Sequence, residues 1–303
     1  MSWFLIALLG YFILAGVSVS DKFILSKKLA TPAVFVFYST APLLILFFSL
    51  FFKVAILSGV GLFWAAISGL SLLFGFWTMY KGFLASEVSH AGPLLGAVMP
   101  IFVLIVSYFF LGEVLNDKQL AACFLLICGS FLISFEKSVQ YNGWHRGFAW
   151  IILAGFLFAV SHVAAKYLYD IYGFTAGLVW SRGMSGIFGL ALIFLPSVRT
   201  EIQSWFEKKE KDLSQQNKNK LSLIVFNKTF GLVGVFLVQL AVALGSVTIV
   251  NAMAGAQFGL LIILVAGLSI FYPKIFKEEY SKLEIVQEII AVVVIGVGLG
   301  MLI

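Results

Sequence analysis

Long apolar runs, separated by short polar segments, follow one another along the whole chain. Each run is about twenty residues long, which is the length an α-helix needs to cross a hydrocarbon core of about 30 Å. The runs lack the period-two alternation of strands, and a backbone in lipid must satisfy its own hydrogen bonds, so the pattern favours helices. The predicted membrane spans are residues 3–20, 32–52, 59–80, 88–111, 119–136, 147–167, 175–196, 222–244, 247–271 and 284–303.

The polar interruptions are mostly short enough to be turns between helices. In FFLGEVLNDKQ, residues 109–119, we expect Gly112 to end one helix and Glu113 to lie in the turn. Asn116 or Asp117 can then cap the next helix. The one long interruption, residues 197–221, is polar and mixed in charge, and it predicts a solvated loop between the seventh and eighth spans.

Composition agrees with this reading. Of the 303 residues, 61% are hydrophobic and 11% are charged, whereas soluble domains carry roughly a quarter charged residues. The mean hydropathy is +1.06. We therefore expect an all-α integral membrane protein. Its net charge of +6 indicates basic loops at the membrane surface and not nucleic-acid binding, and its first apolar run is long and lacks a basic start, which favours a retained helix over a signal peptide.

The two halves of the chain resemble each other. AGVSVSDKFIL, residues 15–25, aligns with AVSHVAAKYLY, residues 159–169, and small residues precede a lysine in both. A later alignment places two pairs of glycines on each other, Gly92 and Gly96 on Gly255 and Gly259. Five helices per repeat is an odd number, so the second repeat would enter the membrane from the opposite side, as in many secondary transporters. The predicted repeats are residues 1–137 and 146–303.

One segment carries a family resemblance. KGFLASEVSHAGPLLGAVMPIFVLIVSYFFLGEVLNDKQLAACFLLICGSFLIS contains Pro100, the Leu-Gly-Glu ending at Glu113 and the late Gly129. It resembles the EamA repeat of the drug/metabolite transporter (DMT) superfamily. The second half is a looser version, with Lys277 in place of the glycine and no counterpart to Pro100. The resemblance implies ten transmembrane helices built as two inverted EamA repeats, in a family whose substrates include amino acids, nucleotide-related compounds, sugar phosphates and amines.

These features predict a secondary transporter that moves a small polar metabolite, such as an amino acid or an amine, by alternating access through a central cavity. A proton or another cation is the candidate coupling ion, and a bacterial or archaeal inner membrane is the expected location. The sequence has no Walker A motif, no HExxH and no GxSxG, so we expect no ATP-driven transport, no catalytic residues, no metal and no cofactor. The alternative is a membrane-embedded enzyme, or a receptor or assembly factor that transports nothing.

Polar side chains inside the predicted spans are the candidate functional groups, because they are costly in lipid. Arg182 is either an anion-binding or gating charge, or half of a structural pair. His90 and His162 could relay protons, or could simply be hydrogen-bonded. Three amides, those of Gln239, Asn251 and Gln257, could bind solute or join helices.

Aromatic and small residues complete the set. Trp77, Tyr80 and Trp180 could wall the cavity or mark the membrane interfaces, and Lys81 could reach the cavity or snorkel to the interface. The cavity candidates are therefore Trp77, Tyr80, Lys81, His90, His162, Trp180, Arg182, Gln239, Asn251 and Gln257. The candidates for close helix packing are Gly92, Gly96, Pro100, Gly255 and Gly259.

Orientation remains open at this point. Most lysines and arginines fall in odd-numbered connections, which by the positive-inside rule places those connections in the cytoplasm and both termini outside. The family resemblance implies cytoplasmic termini instead. The charge bias is the slightly stronger of the two arguments.

Overall fold

A computed structural model describes residues 2–24, 31–52, 54–85, 88–134, 146–208, 215–271 and 282–303. These residues are almost entirely helical, and no strand occurs among them. The helices are α1 Ser2–Ile24, α2 Pro32–Thr40 with a 3₁₀ continuation Ala41–Phe52, α3 Gly59–Ala85, α4 Val88–Leu111, α5 Asp117–Ser134, α6 Arg146–Ala191, α7 Pro196–Lys208, α8 Gln215–Leu244, α9 Val247–Ala252, α10 Ala254–Phe271 and α11 Lys282–Leu302.

Seven helices of the described chain are long and apolar enough to cross a membrane, and two shorter apolar helices cover Ser2–Ser18 and Thr229–Leu244. One of the seven, Gly147–Phe194, has 48 residues, which at 1.5 Å per residue is far longer than a bilayer is thick. The chain is therefore a multi-pass integral membrane protein.

The very long helix α6 has two arms that meet at Gly173, whose φ of 79° and ψ of 164° are not helical. The first arm, 146–172, extends five residues past the predicted end at 167. Lys166 and Asp170 lie one turn apart there and form an ion pair of 2.9 Å, which supports the polar end of the arm.

The segment predicted as a polar loop also differs from the expectation. Helix α7 occupies Pro196–Lys208, and α8 begins at Gln215, seven residues before the predicted start. Pro196 stands at the first helical position, where its missing N–H costs nothing. Val198 of α7 is buried against Ala33 and Val34 of α2. The segment is polar on average, but one face of α7 is apolar and packs against α2.

The turn between α4 and α5 was predicted correctly. Gly112 has a φ of 65°, the left-handed conformation that ends many helices, and the Glu113 N–H donates to the Ser107 carbonyl at 3.3 Å. Asn116 is the cap: its Oδ1 accepts from the Gln119 N–H at 2.9 Å, and Gln119 Oε1 accepts from the Asn116 N–H at 3.1 Å. This reciprocal pair is a capping box. The looser echo of the turn at Lys277–Glu279 lies outside the described residues.

Helices of the first half pack mainly on helices of the second half. The principal contacts join α3 to α6, α1 to α8, α5 to α11, and α4 to both α6 and α9. Glycines allow very close approach where the second arm of α6 meets the 3₁₀ segment: a Cβ on Gly186 would lie 2.4 Å from the Leu44 nitrogen. Large apolar side chains cover the outside, where lipid would contact them.

Candidate functional site

Arg182 lies near the middle of the second arm of α6, about 13 Å along the helix from Gly173. Only 5% of its surface is exposed. Its Nη1 donates to Ser161 Oγ at 3.2 Å, and the guanidinium also interacts with the Tyr169 hydroxyl. Its Nη2 is buried, and among the described residues it has no hydrogen-bond partner and no carboxylate within ion-pair distance. A buried cation without a counter-ion is costly, so this group is the strongest functional candidate.

Ser161 presents its hydroxyl to Arg182 because a second serine holds it in place. Ser161 Oγ donates to the Ser68 carbonyl and Ser68 Oγ donates to the Ser161 carbonyl, both at 2.9 Å. Both serines are fully buried. The pair connects α3 of the first half to α6 of the second, and it leaves an Oγ lone pair of Ser161 to accept from Arg182.

His162, the next residue, turns towards α9. Its Nδ1 lies 2.7 Å from Asn251 Oδ1, while Asn251 Nδ2 donates to the Val247 carbonyl at 2.7 Å. The second bond fixes which end of the amide faces the imidazole, so Asn251 accepts and Nδ1 carries a proton. In a neutral imidazole the other ring nitrogen, Nε2, is then unprotonated and can accept a hydrogen bond.

Two tyrosines attach further helices to this region. Tyr169, two turns after Ser161 on α6, donates from its hydroxyl to Gln239 Oε1 on α8 at 2.9 Å. Tyr11 on α1 donates to the Val250 carbonyl, next to Asn251, also at 2.9 Å. Tyr11, Tyr169, Gln239 and Asn251 are all buried. The polar site is thus built by five elements, α1, α3, α6, α8 and α9, from both halves of the chain.

The structure brings four of the ten predicted cavity residues together, namely His162, Arg182, Gln239 and Asn251. Gln257 lies on α10, where its Nε2 donates to Ser18 Oγ of α1 at 3.3 Å. That contact joins two helices, as the alternative interpretation of the amides predicted. His90 belongs to α4, and the position of its side chain lies outside what is described.

The aromatic candidates lie elsewhere. Trp77 packs against the apolar cluster of α2 and α7, and Tyr80 stacks on Phe35. Lys81 lies over the Trp150 ring, 4.6 Å from its centroid. Trp180 donates from Nε1 to the Ala55 carbonyl at 3.0 Å, before the start of α3. In these contacts the aromatic candidates pack on other elements and not beside Arg182, and their place at a membrane interface stays a prediction.

The predicted packing glycines lie at helix contacts. A Cβ on Gly96 of α4 would lie 2.3 Å from the Phe258 ring of α10, and one on Gly255 would lie 2.6 Å from Ser130 Oγ of α5. Gly92 and Gly259 are less constrained, since the nearest atom to a Cβ there is 3.5 Å away. Pro100 is buried within α4.

Sequence reasoning missed Ser68, Ser161 and Tyr169. Serine is common in membrane helices as a small packing residue, so neither Ser68 nor Ser161 stands out by itself. A signal did exist for Ser161 and Tyr169 as a pair: with Ala165 between them, they follow the i, i+4, i+8 spacing of one helix face. A polar residue at each end of that stripe indicates a face turned towards protein and not towards lipid.

Known proteins resemble this chain in sequence over residues 1–135 and in fold over nearly its whole length. The model of the EamA-like transporter family matches residues 1–135. Among solved structures, 28 chains match significantly. One of them, titled only "Crystal structure of protein", has a TM-score of 0.65 at 14% identity, over 99% of this chain and 98% of that chain; at this identity the likeness shows the fold alone. No curated protein matches the sequence significantly.

Proposed function

We propose, on the premise that residues 1–135 match the model of the EamA-like transporter family of the DMT superfamily, that the chain is a secondary transporter of a small polar solute. The solute would carry a carboxylate or another anionic group, as an amino acid does. The solute would bind beside Arg182. Alternating access would expose the site to one side of the membrane and then to the other. Transport would draw on a solute or ion gradient, since no Walker A motif occurs in the sequence.

The observation that carries the proposal is the unpartnered Nη2 of Arg182. Removing a guanidinium from water costs several kcal/mol unless an opposite charge is present. The groups around it, Ser161 and Tyr169, are neutral. A solute carboxylate would supply the missing charge and accept the unused N–H bonds, in the fork-like geometry that arginine favours.

The neighbours of Arg182 favour an anionic group over an amine. A cationic solute would add a second positive charge to a buried site, and the aromatic rings that could have held it through their faces, Trp77, Tyr80 and Trp180, pack elsewhere. Of the solutes that the family resemblance implies, those with a carboxylate or a phosphate therefore fit best.

The packing supports two inverted five-helix repeats. We divide the chain into ten spans by counting the two arms of α6 separately and joining α9 to α10. If a twofold axis relates the two repeats, each contact between them should have a counterpart. The α1–α8 contact then corresponds to the contact between α3 and the first arm of α6, and the α4–α6 contact corresponds to the α1–α10 contact. The same axis maps the α4–α9 and α5–α11 contacts onto themselves. Such pairing would place the site where the repeats meet.

Uptake by purified protein in liposomes tests this proposal. A panel of labelled carboxylates, including amino acids and keto acids, would be compared with amines of similar size. We expect at least one carboxylate to enter, and Arg182→Ala to slow its uptake by about tenfold or more, since a hydrogen bond to a charged group is worth roughly 1.5–3 kcal/mol.

Arg199→Ala is the matched control. Arg199 is exposed on α7, so its loss removes the same side chain without touching the site, and uptake should be unchanged. Transport of amines alone, or equal uptake by the Arg182→Ala protein, would contradict the proposal. If no member of the panel moves although the protein is folded, the alternative of an enzyme or receptor gains support.

A further inference from the structure

We propose that His162 binds a proton together with the solute, so that the chain moves its anionic solute and a proton in the same direction. This inference rests on the proposed function, because it requires an anion at Arg182. It adds the identity of the coupling ion and of the residue that carries it. Three features support it: the fixed orientation of the His162 ring, its closeness to Arg182, and the small number of other charges near it among the described side chains.

The His162 ring has one nitrogen in use and one available. Nδ1 donates to Asn251, whose amide is fixed by Val247. No hydrogen bond to Nε2 occurs among the described residues, and the side chain is only half-buried. A proton can therefore bind at Nε2 without breaking any bond that the ring already makes. The protonated ring would then present an N–H donor that the neutral ring lacks.

Arg182 links this protonation to the solute. Its guanidinium donates to Ser161, the residue directly before His162, and its charge acts on the imidazole. In the empty site, a protonated His162 would face an uncompensated guanidinium, and like charges in a buried site disfavour each other. An anion beside Arg182 cancels that repulsion and can accept from the Nε2–H. Anion and proton therefore each favour binding of the other, and by linkage the two effects are equal.

The proton and charge balance follows from this arrangement. When the site faces one side of the membrane, the anion binds at Arg182 and Nε2 takes a proton from the water on that side. When the site faces the other side, the anion leaves and Nε2 returns its proton to the water there. No covalent bond of the solute changes. For a monoanion the step carries no net charge, so the membrane potential should not drive it.

Few other titratable or charged groups of the described residues lie near His162. On its own arm, Lys166 is paired with Asp170 and also donates to the Ala243 carbonyl. Tyr169 donates to Gln239 on α8. Towards α9, Glu113 accepts from Thr248, one turn from Asn251, and Tyr11 of α1 donates to Val250.

Charged and phenolic groups on the remaining packed helices lie further away. On α3, Tyr80 and Lys81 are about 18 Å along the helix from Ser68, which marks the level of the site. On α4 and α2, Tyr108 and Tyr38 are exposed on the outer surface. On α8, Lys228 precedes Gln239 by about 16 Å of helix. Among the described side chains, Arg182 is thus the charge that acts most directly on His162.

Binding of methanesulfonate at different pH tests the coupling. This small anion stays ionised at every pH used, so a pH dependence of its affinity must come from the protein. Its dissociation constant would be measured by calorimetry on the full chain in detergent, from about pH 8 to about pH 5.5, on either side of the ordinary histidine pKa of about 6.5. We expect affinity to rise about fivefold or more as the pH falls.

Two variants separate the coupling from the anion site. In His162→Asn, the side-chain amide can still donate to Asn251 but cannot titrate, so methanesulfonate should bind with the same affinity at every pH. In Arg182→Ala, binding should be lost throughout. If the wild-type affinity does not change with pH, or His162→Asn keeps the full pH dependence, the proton coupling is wrong while the anion site stands. If the wild type binds no methanesulfonate, or Arg182→Ala binds it normally, the anion site is wrong as well.

Discussion

Asn251 on α9 accepts a hydrogen bond of 2.7 Å from the His162 ring on α6, between two elements that are 89 residues apart in sequence. Asn251 is almost completely buried, with 1% of its surface exposed, and its amide is fixed from the other side by the Val247 carbonyl. The ring position of a half-buried histidine is thereby set by a neighbouring helix. The contact joins two helices and also decides which imidazole nitrogen is available.

We expect the His162–Asn251 bond to contribute measurably to stability. A double-mutant cycle of His162→Ala and Asn251→Ala, followed by reversible unfolding in mixed micelles, should give a coupling energy of about 0.6 kcal/mol and at most roughly 1.7 kcal/mol, the range for such bonds between membrane helices. A cycle of Asn251→Ala with the exposed Arg199→Ala is the control, and its effects should add within about 0.5 kcal/mol. No coupling between His162 and Asn251 would contradict the contact.

Replacing Arg182 by a similar apolar side chain should separate stability from transport. Since the guanidinium is buried without a counter-ion, Arg182→Met should leave the unfolding temperature unchanged or raise it, as often happens when buried charges are replaced by well-packed apolar residues. Uptake into liposomes should be abolished. A loss of stability of several kcal/mol would show instead that Arg182 has a structural role, paired with a group that the described contacts do not include.

Gly96 is expected to be essential for the contact between α4 and α10. Gly96→Ala would place a Cβ 2.3 Å from the Phe258 ring, and overpacking of this kind costs about 1–3 kcal/mol. Thermal unfolding of the purified protein would measure the loss, and Phe258→Leu should recover part of it. Gly296→Ala on α11 is the control: no atom of the described residues lies within 4 Å of a Cβ there, so alanine should be neutral or stabilising.

Gly112 should be sensitive for a conformational reason, since no atom of the described residues lies within 4 Å of a Cβ at this position. Its φ of 65° disfavours side chains, and Gly112→Ala should cost about 1–2 kcal/mol. Gly112→Asn should cost less, because asparagine adopts this conformation more readily. Equal unfolding temperatures for the wild type and the alanine variant would show that the turn rearranges.

Membrane orientation can be read from two exposed positions on opposite sides of the proposed ten-span layout. After Cys123 and Cys128 are replaced by alanine, Val114→Cys between α4 and α5 and Thr200→Cys on α7 would each be tested with an impermeant maleimide on intact cells. Both native side chains are exposed. The charge bias predicts that Val114→Cys is labelled and Thr200→Cys is not. The opposite result would favour the cytoplasmic termini that the family resemblance implies.

The sequence was informative wherever a feature depends on neighbouring residues. Length and apolarity predicted the helices, because lipid cannot satisfy backbone groups. Local turn chemistry predicted the end of α4 at Gly112 and the capping of α5 by Asn116. The prediction failed for the first arm of α6 and for α7, where helices continue through polar residues: an ion pair supports one helix and a buried apolar face anchors the other.

The order of residues is enough to predict a membrane protein, the course of most of its helices, and a costly charge inside a helix at Arg182. Which polar residues belong together depends on how the helices pack. Helices that are distant in sequence pack together at one site, which therefore contains Ser68, Ser161 and Gln239. The same packing places the aromatic candidates Trp77, Tyr80 and Trp180 outside that site. An apolar run indicates that a helix is buried in lipid or in protein. Which face of that helix meets which neighbour depends on helices that come from elsewhere in the chain.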